Sequence, residues 1–191
     1  MDPRILIPVI VVAAAMIVIA VILIMRNRRR THLKQQFGPE YDRAVAEHGD
    51  ARKADLVLLE REKRVEKFSL RPLTPSDRER YAEDWAAIQR RFVDDPSNAV
   101  NQADTLVNTV LVARGYPVGD FEQRAADISV NYPALVQNYR SAREVMVRHS
   151  QSHSSTEDLR LAMVNFRSLF DELLESSSSH REPVIQERLA S

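Results

Sequence analysis

The sequence contains no cysteine. That excludes disulfides, thiolate chemistry and the usual structural zinc sites, and it leaves the redox character of the compartment open. Glycine occurs only 4 times in 191 residues. A phosphate-cradling loop is hard to build from so few, and the Gly-rich patterns of P-loops, dinucleotide-binding turns and nucleophile elbows do not occur. Net charge is missing as well: 27 Lys and Arg stand against 27 Asp and Glu. With no basic field to attract a polyanion, the composition argues against a nucleic-acid partner. Beyond the first segment there is no alternation of β-branched and polar residues between Gly-rich turns, so nothing proposes strands. These absences leave an all-α chain, long enough for about one ordinary domain of roughly 100–150 residues plus extras.

What is present begins with an uninterrupted apolar run. From Ile5 to Met25 no side chain carries a charge, an amide or a hydroxyl. A helix of about 21 residues rises roughly 31 Å, close to the ~30 Å hydrocarbon core of a bilayer, and the run predicts a transmembrane helix over 5–25. Pro8 falls in the first turns, where a missing amide hydrogen bond costs least. A cleavable secretory signal is the competing reading. It would need a basic start, a shorter apolar run and a small-residue cleavage site, and here the run instead ends in Met25-Arg26-Asn27-Arg28-Arg29-Arg30. Positive residues near a membrane span are retained in the cytoplasm. Arg26, Arg28, Arg29, Arg30 and Lys34 outweigh Arg4 and the terminal amine, which predicts the N-terminus outside and the C-terminal part inside. The same arginines either only set topology or also meet anionic headgroups, at ~1 kcal/mol each.

After this basic segment (26–36) the composition predicts a charged helical strut over 37–71. Gly38-Pro39 breaks the chain, Glu40–Glu47 reads as a short helix stopped by Gly49, and Asp50–Phe68 carries Ala54, Leu58, Arg61 and Val65 at helical spacing. A helical bundle is expected over 72–175. Thr74-Pro75-Ser76-Asp77 is a helix start with a hydroxyl cap, proline in the first turn and an acid behind it. Tyr81, Trp85, Ile88 and Phe92 follow on one face. Asp94-Asp95-Pro96, Asp120, Tyr132-Pro133 and Ser155-Thr156-Glu157-Asp158 start the next helices. Their inward faces run Val100 to Leu111, Phe121 to Ile128, Leu135 to Met146 and Leu159 to Leu173. Five amphipathic helices on short connections imply antiparallel neighbours around one core. The polar stretch at 150–155 reads as flexible and the serine-rich tail 176–191 as disordered, with its serines as possible phosphorylation targets.

Candidate chemistry is sparse. His149 and His153 have metal-ligand spacing but open a polar loop without a third ligand. Asp94-Asp95 resembles an acid pair, and the following proline makes helix capping the economical account. No Glu-x-x-His pair of a di-iron bundle occurs. No catalytic, cofactor-binding or metal residue is therefore assigned, and no cofactor is expected. One stretch, Arg114 to Asp127, concentrates two of the 4 glycines beside aromatic and charged residues. It reads structurally as a helix end at Gly115, a tight connection and a new cap at Asp120. Functionally, Tyr116, Phe121 and Arg124 form a candidate partner-binding patch of the kind found at hot spots.

The segments FGPEYDRAVAEHGDARKA, REKRVEK, RFVDDPSNAVNQADTLVNTVLVARGYPVGDFEQRAADISVNYPALVQNYRSA and STEDLRLAMVNFRSLFDELLE resemble a group of small bacterial proteins of uncharacterised function, some of them described as secreted, that carry one N-terminal hydrophobic segment. RGYP with DFEQRAAD is the most specific part. The resemblance implies a bacterial envelope protein and supplies no activity or cofactor. Together these readings predict a non-enzymatic interaction or scaffold module, anchored in the bilayer by 5–25, at the cytoplasmic face of a bacterial membrane, recruiting an unknown protein partner. The alternative is an extracytoplasmic helical domain, acting in envelope assembly or stress.

Overall fold

A computed structural model describes residues 3–151 and 155–175, with side chains from Met16 onward. Among the described residues the chain is entirely helical: α1 (Pro3–Phe37), α2 (Pro39–His48), α3 (Ala51–Val65), α4 (Pro75–Arg91), α5 (Pro96–Ala113), α6 (Phe121–Asn131), α7 (Pro133–Ser150) and α8 (Thr156–Glu175). This bears out the all-α expectation. The chain divides into two compact units, one ending at Leu59 and the other starting at Glu60, so α3 contributes to both. The expected tail at 176–191 and positions 152–154 of the expected flexible stretch 150–155 lie outside the described residues, while Ser150 ends α7 and Ser155 caps α8.

In the first unit α1 runs without interruption through the arginine block. The expected juxtamembrane segment 26–36 is therefore helical, as the lack of Gly and Pro between Met25 and Gly38 allows. Gly38 ends the helix: its amide donates to the Lys34 carbonyl at 3.0 Å, and its φ of 49° suits a residue without a Cβ. Pro39 then opens α2. Leu33, Phe37, Tyr41, Ala44, Ala54 and Leu58 are buried, which fits the helical spacing read for the strut. Leu56, read from the sequence with Val57 and Leu59 as broadening that stripe, instead points away from it and is 64% exposed. One hydrogen-bond relay ties the three helices. Arg30 Nε donates to the Tyr41 hydroxyl at 3.0 Å, and that hydroxyl donates to Asp55 Oδ1 at 2.9 Å.

The transmembrane helix expected over 5–25 finds no support here. Among the described residues no helix is long and apolar enough to cross a membrane. The described apolar side chains run only from Met16 to Met25, about 15 Å of helix at ~1.5 Å per residue, before Arg26, Arg28, Arg29 and Arg30 follow. The side chains of 5–15 lie outside the described residues.

Within the second unit, α4–α8 form the expected helical bundle. Thr74, Asp95 and Asp120 each cap a helix by accepting from a backbone amide three residues on, at 3.1, 3.1 and 2.8 Å. Ser155 and Asp158 cap α8 reciprocally, the serine hydroxyl accepting from the Asp158 amide and the carboxylate from the Ser155 amide, a capping-box arrangement. Neighbours in sequence pack in space: α4 with α5, α6 with α7, α7 with α8. The longer connection is α5 with α8. The core contains the apolar faces read from the periodicity, with Trp85 stacked on Phe170 at 4.7 Å and Tyr139 edge-on to Phe166 at 6.0 Å. The second half of α3 joins it through polar contacts to α6: Arg64 Nε donates to Asp127 Oδ1 at 3.0 Å and Arg61 reaches Ser129 at 3.5 Å.

Candidate functional site

The α5–α6 connection, where the sequence concentrates its glycines, is built as a helix stop. Beyond Ala113 the chain forms a Schellman motif: the Tyr116 amide donates to the Leu111 carbonyl at 3.0 Å and the Gly115 amide to Val112 at 2.9 Å. Gly115 has φ of 95°. A Cβ there would sit 2.3 Å from the Ser69 carbonyl oxygen, so glycine is required both by conformation and by the approach of the 69–71 strand of chain. Arg71 completes that approach by donating its amide to the Arg114 carbonyl and its Nε to Ala113.

The three candidate partner-binding residues are each engaged by the bundle itself. Tyr116 is 3% exposed, its ring edge-on to Phe68 at 6.1 Å and its hydroxyl accepting from Asn131 Nδ2 at 2.8 Å. Burial pushes its phenol up to about 12. Phe121 packs on Tyr139, with ring centroids 4.9 Å apart. Arg124 turns inward and donates to the Asn108 amide oxygen, to the Tyr139 hydroxyl at 2.9 Å and to the Gly119 carbonyl at 2.7 Å. Burial raises Tyr139 to about 12 as well, so both phenols stay protonated near neutral pH. Beside this network lies Asp104, whose carboxyl is raised by burial against the opposing pull of Arg143 and Arg124. The structure thus brings Phe121 and Arg124 together on Tyr139 and sets Tyr116 against Phe68. Tyr139, from the inward face of α7, completes the cluster with Asn108 and Asp104 of α5, whose only sequence signal is the occurrence of polar residues beside the inward face of α5.

The other sequence candidates resolve simply. Asp95 spends its carboxylate on the α5 cap. His149 lies 2.7 Å from the Ser97 hydroxyl, and its companion His153 is outside the described residues. Among the described residues no group of three or more His, Asp or Glu is arranged to hold a metal ion.

The basic block is differently placed. Arg26, Arg29 and Arg30 lie three and four residues apart, on one side of α1. With Arg52 of α3 they line a cleft of about 720 Å³ within the first unit. Arg28 does not line it. A smaller depression of about 240 Å³ lies in the second unit between α4 and α8, floored by Trp85, Phe92 and Met163 and edged by Arg160 and Arg167. Both of those arginines are already paired on their own helix, with Glu157 and Asp171.

No family model, curated protein or solved structure matches this chain.

Proposed function

We propose that this protein is a membrane-anchored, non-enzymatic helical module that holds its α4–α8 bundle at the cytoplasmic face of a bacterial membrane, as a scaffold for a protein partner. One observation carries the reading. The described apolar residues from Met16 to Met25 are exposed all round the helix, between 48 and 64% for the large side chains. A helix that is apolar on every face needs an apolar surround, and among the described residues none supplies one there. The apolar run in the sequence continues back to Ile5, which supplies the remaining length. The arginines that follow orient it with the bundle inside. The scaffold half of the proposal draws support from the bundle, where the polar residues singled out in the sequence serve the fold, Asp95 as a helix cap and Arg124 in packing against Tyr139.

The test has two parts. Alkaline carbonate extraction of cells expressing the full chain is expected to leave it in the membrane pellet, and its release into the supernatant would overturn the anchor. A reporter active only outside the cytoplasm and a second fluorescent only inside, each fused after Glu175, read orientation. Fluorescence inside is expected. Activity outside would overturn the charge argument and favour an extracytoplasmic envelope domain.

A further inference from the structure

We propose that the cleft between α1 and α3 is a binding site for the headgroup of an anionic phospholipid. The inference rests on the anchor reading and deepens it, by assigning the arginines a ligand in addition to a topological role. Arg26, Arg29, Arg30 and Arg52 line the cleft together with Asp50 and Asp55, four guanidinium groups against two carboxylates. Each carboxylate accepts a hydrogen bond within the fold but keeps its charge, which leaves the cleft an excess of two guanidinium charges. Asp50 accepts from the Arg52 amide at 3.0 Å and opens α3, and Asp55 accepts from the Tyr41 hydroxyl at 2.9 Å. Arg30 is spent on the same relay through its Nε. Among the described residues, the guanidinium groups of Arg26, Arg29 and Arg52 make no hydrogen bond or ion pair. Unspent planar donors gathered in one concave place suit a phosphate diester, which offers the acceptor oxygens that guanidinium forks match.

The apolar lining decides which phosphate. Leu23 and Leu56 both line the cleft, and they are 57 and 64% exposed. Leu23 belongs to the same uncovered apolar stretch that precedes Arg26. An inorganic or sugar phosphate gains nothing from such walls. A lipid has a phosphate for the arginines and an acyl chain that continues along the apolar end of α1, so both chemistries of the cleft are satisfied by one molecule. The relay from Arg30 through Tyr41 to Asp55 holds α1, α2 and α3 in register and keeps the two walls in place.

The test uses the full chain released from membranes in a non-ionic detergent and examined by native mass spectrometry with equimolar phosphatidylglycerol and phosphatidylcholine of identical acyl chains. Phosphatidylglycerol adducts are expected to exceed phosphatidylcholine adducts by about tenfold. Arg26→Gln/Arg29→Gln should bring the two lipids to parity, whereas Arg28→Gln, outside the cleft, should retain most of the preference. Leu56→Gln should weaken both lipids together. Equal binding of the two lipids by the wild-type chain would overturn the proposal, and so would an Arg28 variant as defective as the cleft variant, which would mean diffuse basic attraction. Displacement of the lipid by millimolar inorganic phosphate would also overturn it, leaving a simple anion site. Because the measurement is made in detergent, it fails independently of the anchor, which carbonate extraction reads.

Discussion

The two units of this chain treat their apolar residues in opposite ways. From Glu60 onward, the helices turn their periodic faces toward one another, and Val107, Val110, Ile128, Ala142, Phe166 and Leu169 are all completely buried. In the unit that ends at Leu59, a few side chains around Leu33, Phe37, Tyr41 and Leu58 are covered, and the apolar side chains from Met16 to Met25 are exposed. The same residue types thus serve two purposes. Where apolar positions recur at three and four residues, protein covers them and folding free energy results. Where every position is apolar, as from Met16 to Met25, no other described part of the chain covers them. Charge follows the same division. The bundle uses arginines inward, as Arg124 and Arg140 show, while the first unit gathers them in a cleft.

The largest effect that sharpens this contrast comes from truncating one side chain in each unit. Phe166→Ala removes a completely buried ring that Tyr139 meets edge-on. It should cost about 3–5 kcal/mol and lower the melting temperature of the bundle by roughly 12 °C or more. Ile22→Ala removes a side chain that is half exposed and should leave thermal unfolding of the same full-length chain unchanged, by circular dichroism in detergent. If the two substitutions lowered the melting temperature alike, the apolar stretch of α1 would be part of a protein core, and the contrast would collapse.

Next in size is Gly115→Ala. The new Cβ would lie 2.3 Å from the Ser69 carbonyl oxygen, at a φ of 95° that side chains rarely adopt. Conformational strain of roughly 1–3 kcal/mol is expected, read as a lowered denaturation midpoint with an unchanged slope. The first unit offers a control. Gly38 also has positive φ, but nothing lies within 4 Å of a Cβ placed there, so Gly38→Ala should cost less than Gly115→Ala. Equal losses would mean that conformation alone, and not the approach of residues 69–71, makes glycine necessary at 115.

Much of this architecture was legible in the residues because its causes are local. Thr74, Asp95, Asp120 and Ser155 cap helices through amides three positions away, and the bundle faces follow from spacing within one helix. The contacts that define the candidate sites have other causes. Arg64 meets Asp127 across 63 positions and Arg114 donates to the Leu173 carbonyl across 59; such pairs depend on how helices are rotated against one another, which no single helix encodes. Arg124 illustrates the difficulty. A charged residue beside a glycine turn reads as surface, yet the Gly119 carbonyl, Asn108 and Tyr139 together supply enough acceptors to bring it inward. The arginines of α1 were recognised as a group, whereas their meeting with Arg52 and Leu56 depended on the relay through Tyr41.

The smallest effect concerns the cost of enclosing charge in the bundle. Asp104 is mostly buried, one carboxylate oxygen has no hydrogen-bond partner, and the other is 3.4 Å from the Asn108 amide and 3.9 Å from Arg143. Burial raises its pKa above the ordinary 3.8, so the folded state holds the proton more tightly than the unfolded chain does. A group shifted in this direction contributes its stability fully below the unfolded value and loses it as pH rises through the folded one. Asparagine is neutral at every pH and retains that contribution. Asp104→Asn should therefore stabilise the protein by about 1 kcal/mol at pH 7, with the gain shrinking as pH falls toward 4, as measured by denaturant unfolding across that range. A loss at pH 7 would instead mean that attraction from Arg143 and Arg124 outweighs desolvation. The bundle would then be held together in part by the charges it encloses, and the division between an apolar bundle and a charge-gathering first unit would be less sharp than burial alone implies.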